Sequence, residues 1–182
     1  MEVAIVAGVG PGTGTALARV FARAGYGVGL LSRHAESSDP VAAEIHAKGG
    51  KAIFVLTDVT NRQSVGDVVA KIRAQLGPVT AVAHNASGYG RAGFAPLAID
   101  KSGLRMLGQS LAREFHPKGI HVIHVIVDGQ IDTPRLRTRE PNRATESVIP
   151  PDEIADAVIA CLKQPRAAWS QEIDIRPAVE NF

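Results

Sequence analysis

The residues with the clearest chemical potential form a glycine-rich run near the start of the chain. Residues 7–14 read AGVGPGTG and lie where an apolar run gives way to a segment of helical period. A pyrophosphate that docks on a helix N-terminus needs backbone N–H groups at close range, and a Cβ on the turn would hold it away. The spacing is G-x-x-x-G-x-G and not G-x-G-x-x-G, and the alternative is a glycine-rich turn without a ligand. The residues of the predicted cradle are Gly8, Gly10, Gly12, Thr13 and Gly14.

A second pair of residues bears on which dinucleotide would bind. Ser32 and Arg33 stand about twenty residues beyond the glycines, at the end of the second apolar run. An acidic residue there would hold the free ribose 2′-hydroxyl of NAD, whereas a guanidinium suits the 2′-phosphate of NADP. The pair therefore predicts NADP(H), and the alternative is a solvated arginine at a strand end.

The elements that must position these residues alternate between strand and helix. Such alternation predicts an α/β fold with a doubly wound parallel sheet of about six strands, and near-continuous apolar strands suit a sheet that is covered on both faces. Predicted strands cover residues 2–7, 27–32, 51–57, 79–84, 121–127 and 172–176. Predicted helices cover residues 12–24, 40–47, 62–76, 101–115 and 151–162.

Composition narrows the class of protein. The 182 residues predict a single domain, and the net charge of +2, with both signs scattered, gives no footprint for nucleic acid. No apolar run is long enough to span a bilayer or to serve as a signal peptide, so we expect a cytoplasmic protein with a small-molecule partner. The single Cys161 forms no internal disulfide, and His116, His121 and His124 lack partners at metal-ligand spacing, so no metal is expected.

Several segments in order resemble the short-chain dehydrogenase/reductase family. Besides the glycine run, Asp58 and Val59 follow the third strand, HNAS at 84–87 follows the fourth, and DGQIDT occupies 128–133. These resemble the family's adenine-contacting acidic residue, its Asn-Asn-Ala-Gly segment and its Pro-Gly-x-Ile-x-Thr loop. The resemblance implies a Rossmann fold, with a nicotinamide cofactor bound also by Asp58, Val59, Asn85, Ala86, Ile131 and Thr133.

The resemblance also places Lys101 as the family's catalytic lysine, which binds the nicotinamide ribose as well. The family tyrosine stands four residues earlier, and that position is Leu97 here. Only fifteen residues separate Asn85 from Lys101, too few for the helix, strand and catalytic serine that the family carries there. One helix–strand unit is therefore absent, and we expect a sheet with one central strand fewer. The candidate substitute donors are Ser87, Tyr89 and Asp100, although capping of the helix start would also explain Asp100.

Two classes of function follow. The first is an NADP(H)-dependent oxidoreductase that acts on a small carbonyl or alcohol. The second is a catalytically inactive NADP(H)-binding protein, such as a regulatory subunit or splice form of a full-length relative. The family also implies a homo-oligomer, but one of the two helices that form the family's main subunit interface is absent from this chain.

Overall fold

The computed structural model describes residues 1–85 and 94–179, with side chains described outside 94–98. Its strands are β1 (Val3–Ala7), β2 (Gly27–Ser32), β3 (Ala52–Leu56), β4 (Val79–His84), β5 (His124–Val127), β6 (Gln130–Ile131), β7 (Val148–Ile149) and β8 (Glu172–Ile175). Its helices are α1 (Thr13–Arg23), α2 (Ala35–Ala47), α3 (Arg62–Leu76), α4 (Phe94–Phe115), α5 (Pro134–Arg139) and α6 (Pro151–Leu162).

The centre of the molecule is a parallel four-stranded sheet in the order β3-β2-β1-β4. All five residues of β1 are buried, as a strand requires when helices cover both faces of the sheet. On one face, Val6 and Leu30 pack with α1, α2 and α6, and on the other, Ile5 and Leu31 pack with α3. The predicted α/β, doubly wound, Rossmann-like class is confirmed.

The remaining strands do not continue this sheet among the described residues. β5 pairs in parallel with β8, and the short β6 pairs with β7. We expected one sheet with a single central strand fewer, which would place β5 beside β4, but β4 pairs only with β1 in the described part of the chain. Helix α4 instead lies beside the β5–β8 pair: Arg105 forms an ion pair with Glu172 of β8, at 2.5 Å, and Gly108 lies beside His124 of β5.

Strand β4 and helix α4 both expose apolar side chains. Val82 of β4 is 64% exposed, and Ile99, Leu104, Met106 and Leu107 of α4 are all exposed. On β4, the alternate residues Ala81 and Ala83 pack against the core that contains α1. The exposed face of β4 is therefore the one that points away from α1.

Three predicted boundaries are wrong by three residues or more. Helix α4 begins at Phe94 and not at Lys101, because Pro96 lies in its first turn, where a missing N–H costs no helical hydrogen bond. Helix α2 likewise begins at Ala35 and contains Pro40 in its first half. Strand β5 begins at His124, so His121 precedes it.

Candidate functional site

The glycine run forms the turn between β1 and α1, at the carboxyl edge of the central sheet. The N–H groups of Gly8 and Val9 both donate to the carbonyl oxygen of Leu31 on β2, at 2.9 and 3.0 Å. Gly12 precedes the first residue of α1 and has a φ of 113°, a conformation that favours glycine. Its position also requires the absence of a side chain, because a Cβ there would stand 2.9 Å from the methyl group of Thr133.

Gly10 and Gly14 of the same turn differ in what surrounds them. A Cβ on Gly14 would lie 2.3 Å from the carbonyl oxygen of Gly8, so Gly14 is required by packing within the protein. A Cβ on Gly10 would meet no protein atom within 4 Å. Packing therefore does not explain the glycine at position 10, whereas the close approach of a ligand does.

The first turn of α1 presents two threonines with contrasting hydrogen bonds. The Oγ1 of Thr15 donates to the carbonyl oxygen of Gly10 at 2.9 Å and so closes the turn. The Oγ1 of Thr13 is buried and has no partner among the described residues. An unpaired buried hydroxyl is costly, and an acceptor such as a phosphate oxygen would satisfy it.

Asn85 connects the end of β4 to the same turn. Its backbone N–H donates to the carbonyl oxygen of Ala7, and its Nδ2 donates to that of Gly8 at 2.9 Å. The structure thus brings Asn85 and the glycine turn together.

At the end of β2, Arg33 is exposed and Ser32 is half-buried. The Oγ of Ser32 contacts the carbonyl oxygen of His34 at 2.6 Å and the Oγ of Ser38 at 2.8 Å. Sequence reasoning missed Ser38, because the predicted helix begins at residue 40 and leaves Ser38 outside it, whereas α2 begins at Ala35.

Asp58 follows β3 at the same edge of the sheet and is exposed. The backbone N–H and hydroxyl of Thr60 donate to its Oδ1, and these bonds, with the charge of Arg33, hold the pKa of the Asp58 carboxyl below its usual range. Asp58 is therefore ionised at neutral pH and lies within the electrostatic reach of Arg33. Val59 beside it is partly buried against the core that contains α3.

The end of β6 and the loop that follows it lie against the glycine turn. Ile131 and Thr133 are half-buried, and the methyl group of Thr133 faces Gly12. The Oγ1 of Thr133 caps α5 by accepting from the N–H of Leu136 at 3.2 Å, which leaves its own proton available. A cleft of about 320 Å³ is lined by Gly12, Thr15 and Arg19 on the side of α1 and by Asp132 and Pro134 of this loop.

The catalytic half of the predicted site is less complete. Lys101 and Asp100 are exposed on α4, where Asp100 lies well inside the helix, so the capping interpretation is wrong. Ala86, Ser87 and Tyr89 lie outside the described residues, as does the side chain of Leu97. No cluster that could hold a metal ion occurs in residues 1–85 and 94–179. Within those same ranges, no helix is long and apolar enough to cross a membrane.

Comparison with known proteins identifies the class. The family model for short chain dehydrogenases matches residues 2–100, which is more than half of the chain, and the protein belongs to this family of oxidoreductases. Gluconate 5-dehydrogenase of Gluconobacter oxydans is 33% identical over 125 residues, which cover 64% of this chain and 49% of that protein. Cis-4-hydroxycyclohexanecarboxylate dehydrogenase of Sinomonas cyclohexanicum is 36% identical over 85 residues, which cover 47% and 34%. These matches span half or less of the relatives' length.

Solved structures give the same fold. A short-chain dehydrogenase from Rhodopseudomonas palustris superposes with a TM-score of 0.78 at 25% identity, over 97% of this chain and 98% of that one. A variant of actinorhodin polyketide ketoreductase, solved with NADPH, superposes with a TM-score of 0.86 at 19% identity, over 100% and 98%. The fold of the family is therefore retained in the described part of this shorter chain.

Proposed function

We propose that this protein binds NADP(H) at the carboxyl edge of its central sheet. The observation that carries the proposal is the exposed guanidinium of Arg33, one residue beyond β2 on the strand beside the glycine turn. The glycine turn suits any nicotinamide dinucleotide, since the pyrophosphate is common to all of them. Arg33 stands where an acidic residue would hold a free 2′-hydroxyl, and it would pair with the 2′-phosphate instead.

The described residues fit the cofactor group by group. The open face of Gly10 and the unpaired hydroxyl of Thr13 suit the pyrophosphate. Asp58 and Val59 would contact the adenine, and Asn85 holds the turn in place. Ile131 and Thr133 would flank the nicotinamide amide, because the available proton of Thr133 suits a carbonyl oxygen.

The family chemistry is hydride transfer between the bound nicotinamide and a small carbonyl or alcohol substrate. This chain's own contribution would be to orient the substrate and to supply a proton at its oxygen atom. Lys101 is the one member of the family set that the sequence retains, and it would contact the nicotinamide ribose. Ser87, Tyr89 and Asp100 remain the candidate proton donors.

A second function, that of a catalytically inactive NADP(H)-binding protein, is favoured by Leu97. A leucine has no proton to donate, and an exposed Lys101 is accounted for by cofactor binding alone. A cytoplasmic location and a homo-oligomeric state remain predictions.

Binding is tested by calorimetric titration of the protein with NADPH, with NADH and with adenosine 2′,5′-bisphosphate. We expect NADPH to bind more tightly than NADH, and the bisphosphate to compete with NADPH. Equal affinity for the two dinucleotides would contradict the assignment of Arg33, and absence of binding by either would contradict the nucleotide site itself.

A further inference from the structure

Ser38 is a fully buried polar residue on the helix that follows Arg33. Its exposed fraction is 0%, and the only other buried polar residue among those described is Thr57, at 2%. Ser38 shares its buried stripe on α2 with Val41 and Ile45. An apolar side chain would gain more from burial at such a position, so the hydroxyl needs a hydrogen bond to offset its desolvation.

The hydrogen bonds around Ser38 fix the direction in which each proton points. Ser32 has one hydroxyl proton, and its Oγ lies 2.6 Å from the carbonyl oxygen of His34, which can only accept. The proton of Ser32 is therefore directed at His34. Ser38 must then be the donor in its 2.8 Å contact with Ser32.

This chain of two hydrogen bonds closes a small loop around Arg33. Ser32 and His34 are the residues on either side of Arg33, and their bond fixes the backbone at that point. The N–H of Thr57, one residue beyond β3, also donates to the carbonyl oxygen of Ser32 at 2.9 Å. The arrangement leaves Ser32 no proton to donate to a phosphate.

We propose that Ser38 is a positioning residue that sets the preference for NADPH, by holding Ser32 and His34 so that Arg33 faces the 2′-phosphate. The inference rests on the proposed function. It also changes the role predicted for Ser32, which supports Arg33 and does not itself bind the phosphate.

The test compares the dissociation constants of NADPH and NADH, because the two cofactors differ only in the 2′-phosphate. Ser38→Ala should reduce the preference for NADPH by about three- to tenfold, the effect of one hydrogen bond, and leave NADH affinity unchanged. Ser32→Ala should reduce it similarly, and the double variant should lose little more than either single variant, since all three break the same chain. Ser38→Cys, whose thiol is a weaker donor on a slightly larger side chain, should give an intermediate loss and serves if Ser38→Ala does not fold.

Thr57→Val is the matched control, because it removes a buried hydroxyl whose one hydrogen bond among the described residues goes to the carbonyl oxygen of Val55, two residues earlier. It should lower the melting temperature without changing the NADPH preference. An unchanged preference in Ser38→Ala and Ser38→Cys, with the wild type preferring NADPH, would overturn the role of Ser38 alone. A wild type that has no preference would overturn the proposed function and this inference together.

Discussion

The Nδ2 of Asn85 donates to the carbonyl oxygen of Gly8 at 2.9 Å. This bond joins the first residue after β4 to the glycine turn after β1. The two residues are far apart in the sequence, and β4 is the edge strand of the central sheet among the described residues. The bond therefore ties the glycine turn to an edge strand, which pairs only with β1 among the described residues.

Asn85→Ala should lower the free energy of unfolding by about 0.5–1.5 kcal/mol and weaken NADPH and NADH binding to the same extent. The reason is that the carbonyl oxygen of Gly8 loses its donor and the turn loses its support. Chemical denaturation and calorimetry measure the two effects. If the affinity falls for NADPH only, Asn85 acts on the phosphate region and not on the turn.

Gly10→Val should fold normally and bind neither dinucleotide measurably. A side chain at Gly10 meets no protein atom, and it would occupy the space assigned to the pyrophosphate. Gly12 is less suitable for this test, because its φ of 113° would strain any replacement.

The matched control for the turn is Gly66→Val, at a glycine of α3 that also has open space around its Cβ position. Both variants should show melting temperatures near that of the wild type, and only Gly10→Val should lose binding. Wild-type affinity in a folded Gly10→Val protein would refute the phosphate cradle.

Much of the fold could be predicted from the sequence because local patterns determine it. Helices α3 and α6 have the predicted bounds, and β1, buried on both faces, is read directly from its continuous apolar run. The separation of β5 and β8 from β4 could not be predicted, because hydrophobic period reports which face is buried and not which strands pair.

The candidate site divides in the same way. The glycine turn, Arg33 and Asn85 are recognisable because their residue types and places along the chain carry the chemistry. Ser38 and the Arg105–Glu172 ion pair are not recognisable in this way, because each depends on a contact between a helix and a strand. Hydrophobic periodicity reveals neither a buried serine nor an ion pair between two separate elements.

Arg105→Met should destabilise the protein at pH 7, and this effect should shrink as the pH falls from 7 into the acid range where Glu172 becomes protonated. The hydrogen bond from Arg105, followed by its charge, holds the pKa of the Glu172 carboxyl below its usual range. A depressed folded-state pKa contributes stability above the unfolded value of about 4.3, and that contribution is lost as the pH falls through the folded-state value.

Urea denaturation of wild type and Arg105→Met across this pH range measures the difference. Arg23→Met is the control, because Arg23 pairs with Asp156 at 3.4 Å, with both side chains more than half exposed, so its removal should matter little at any pH. A difference between wild type and Arg105→Met that is constant with pH would show that Arg105 acts through packing and not through Glu172.

The protein should show little carbonyl reduction with NADPH even when the cofactor is bound. Loss of a positioned proton donor alone removes about 10²- to 10⁴-fold of rate, and Leu97 stands where that donor is expected. NADPH oxidation with a panel of quinones, aldehydes, ketones and sugars is the assay, with Lys101→Ala and Leu97→Tyr measured beside the wild type. Robust turnover that depends on Lys101 would reject the inactive alternative and direct attention to Tyr89 or Asp100.

The central claim is that this protein binds NADP(H) through Arg33. One comparison of variants tests that claim most directly. NADPH and NADH are titrated into wild type, Arg33→Ala and the control Arg23→Ala, which removes an equal charge at the far end of α1. Arg33→Ala should lose about 1.5–3 kcal/mol of NADPH binding free energy, the value of a charge-assisted contact, and keep its affinity for NADH. Unchanged NADPH affinity in Arg33→Ala, with the wild type binding normally, would contradict the account.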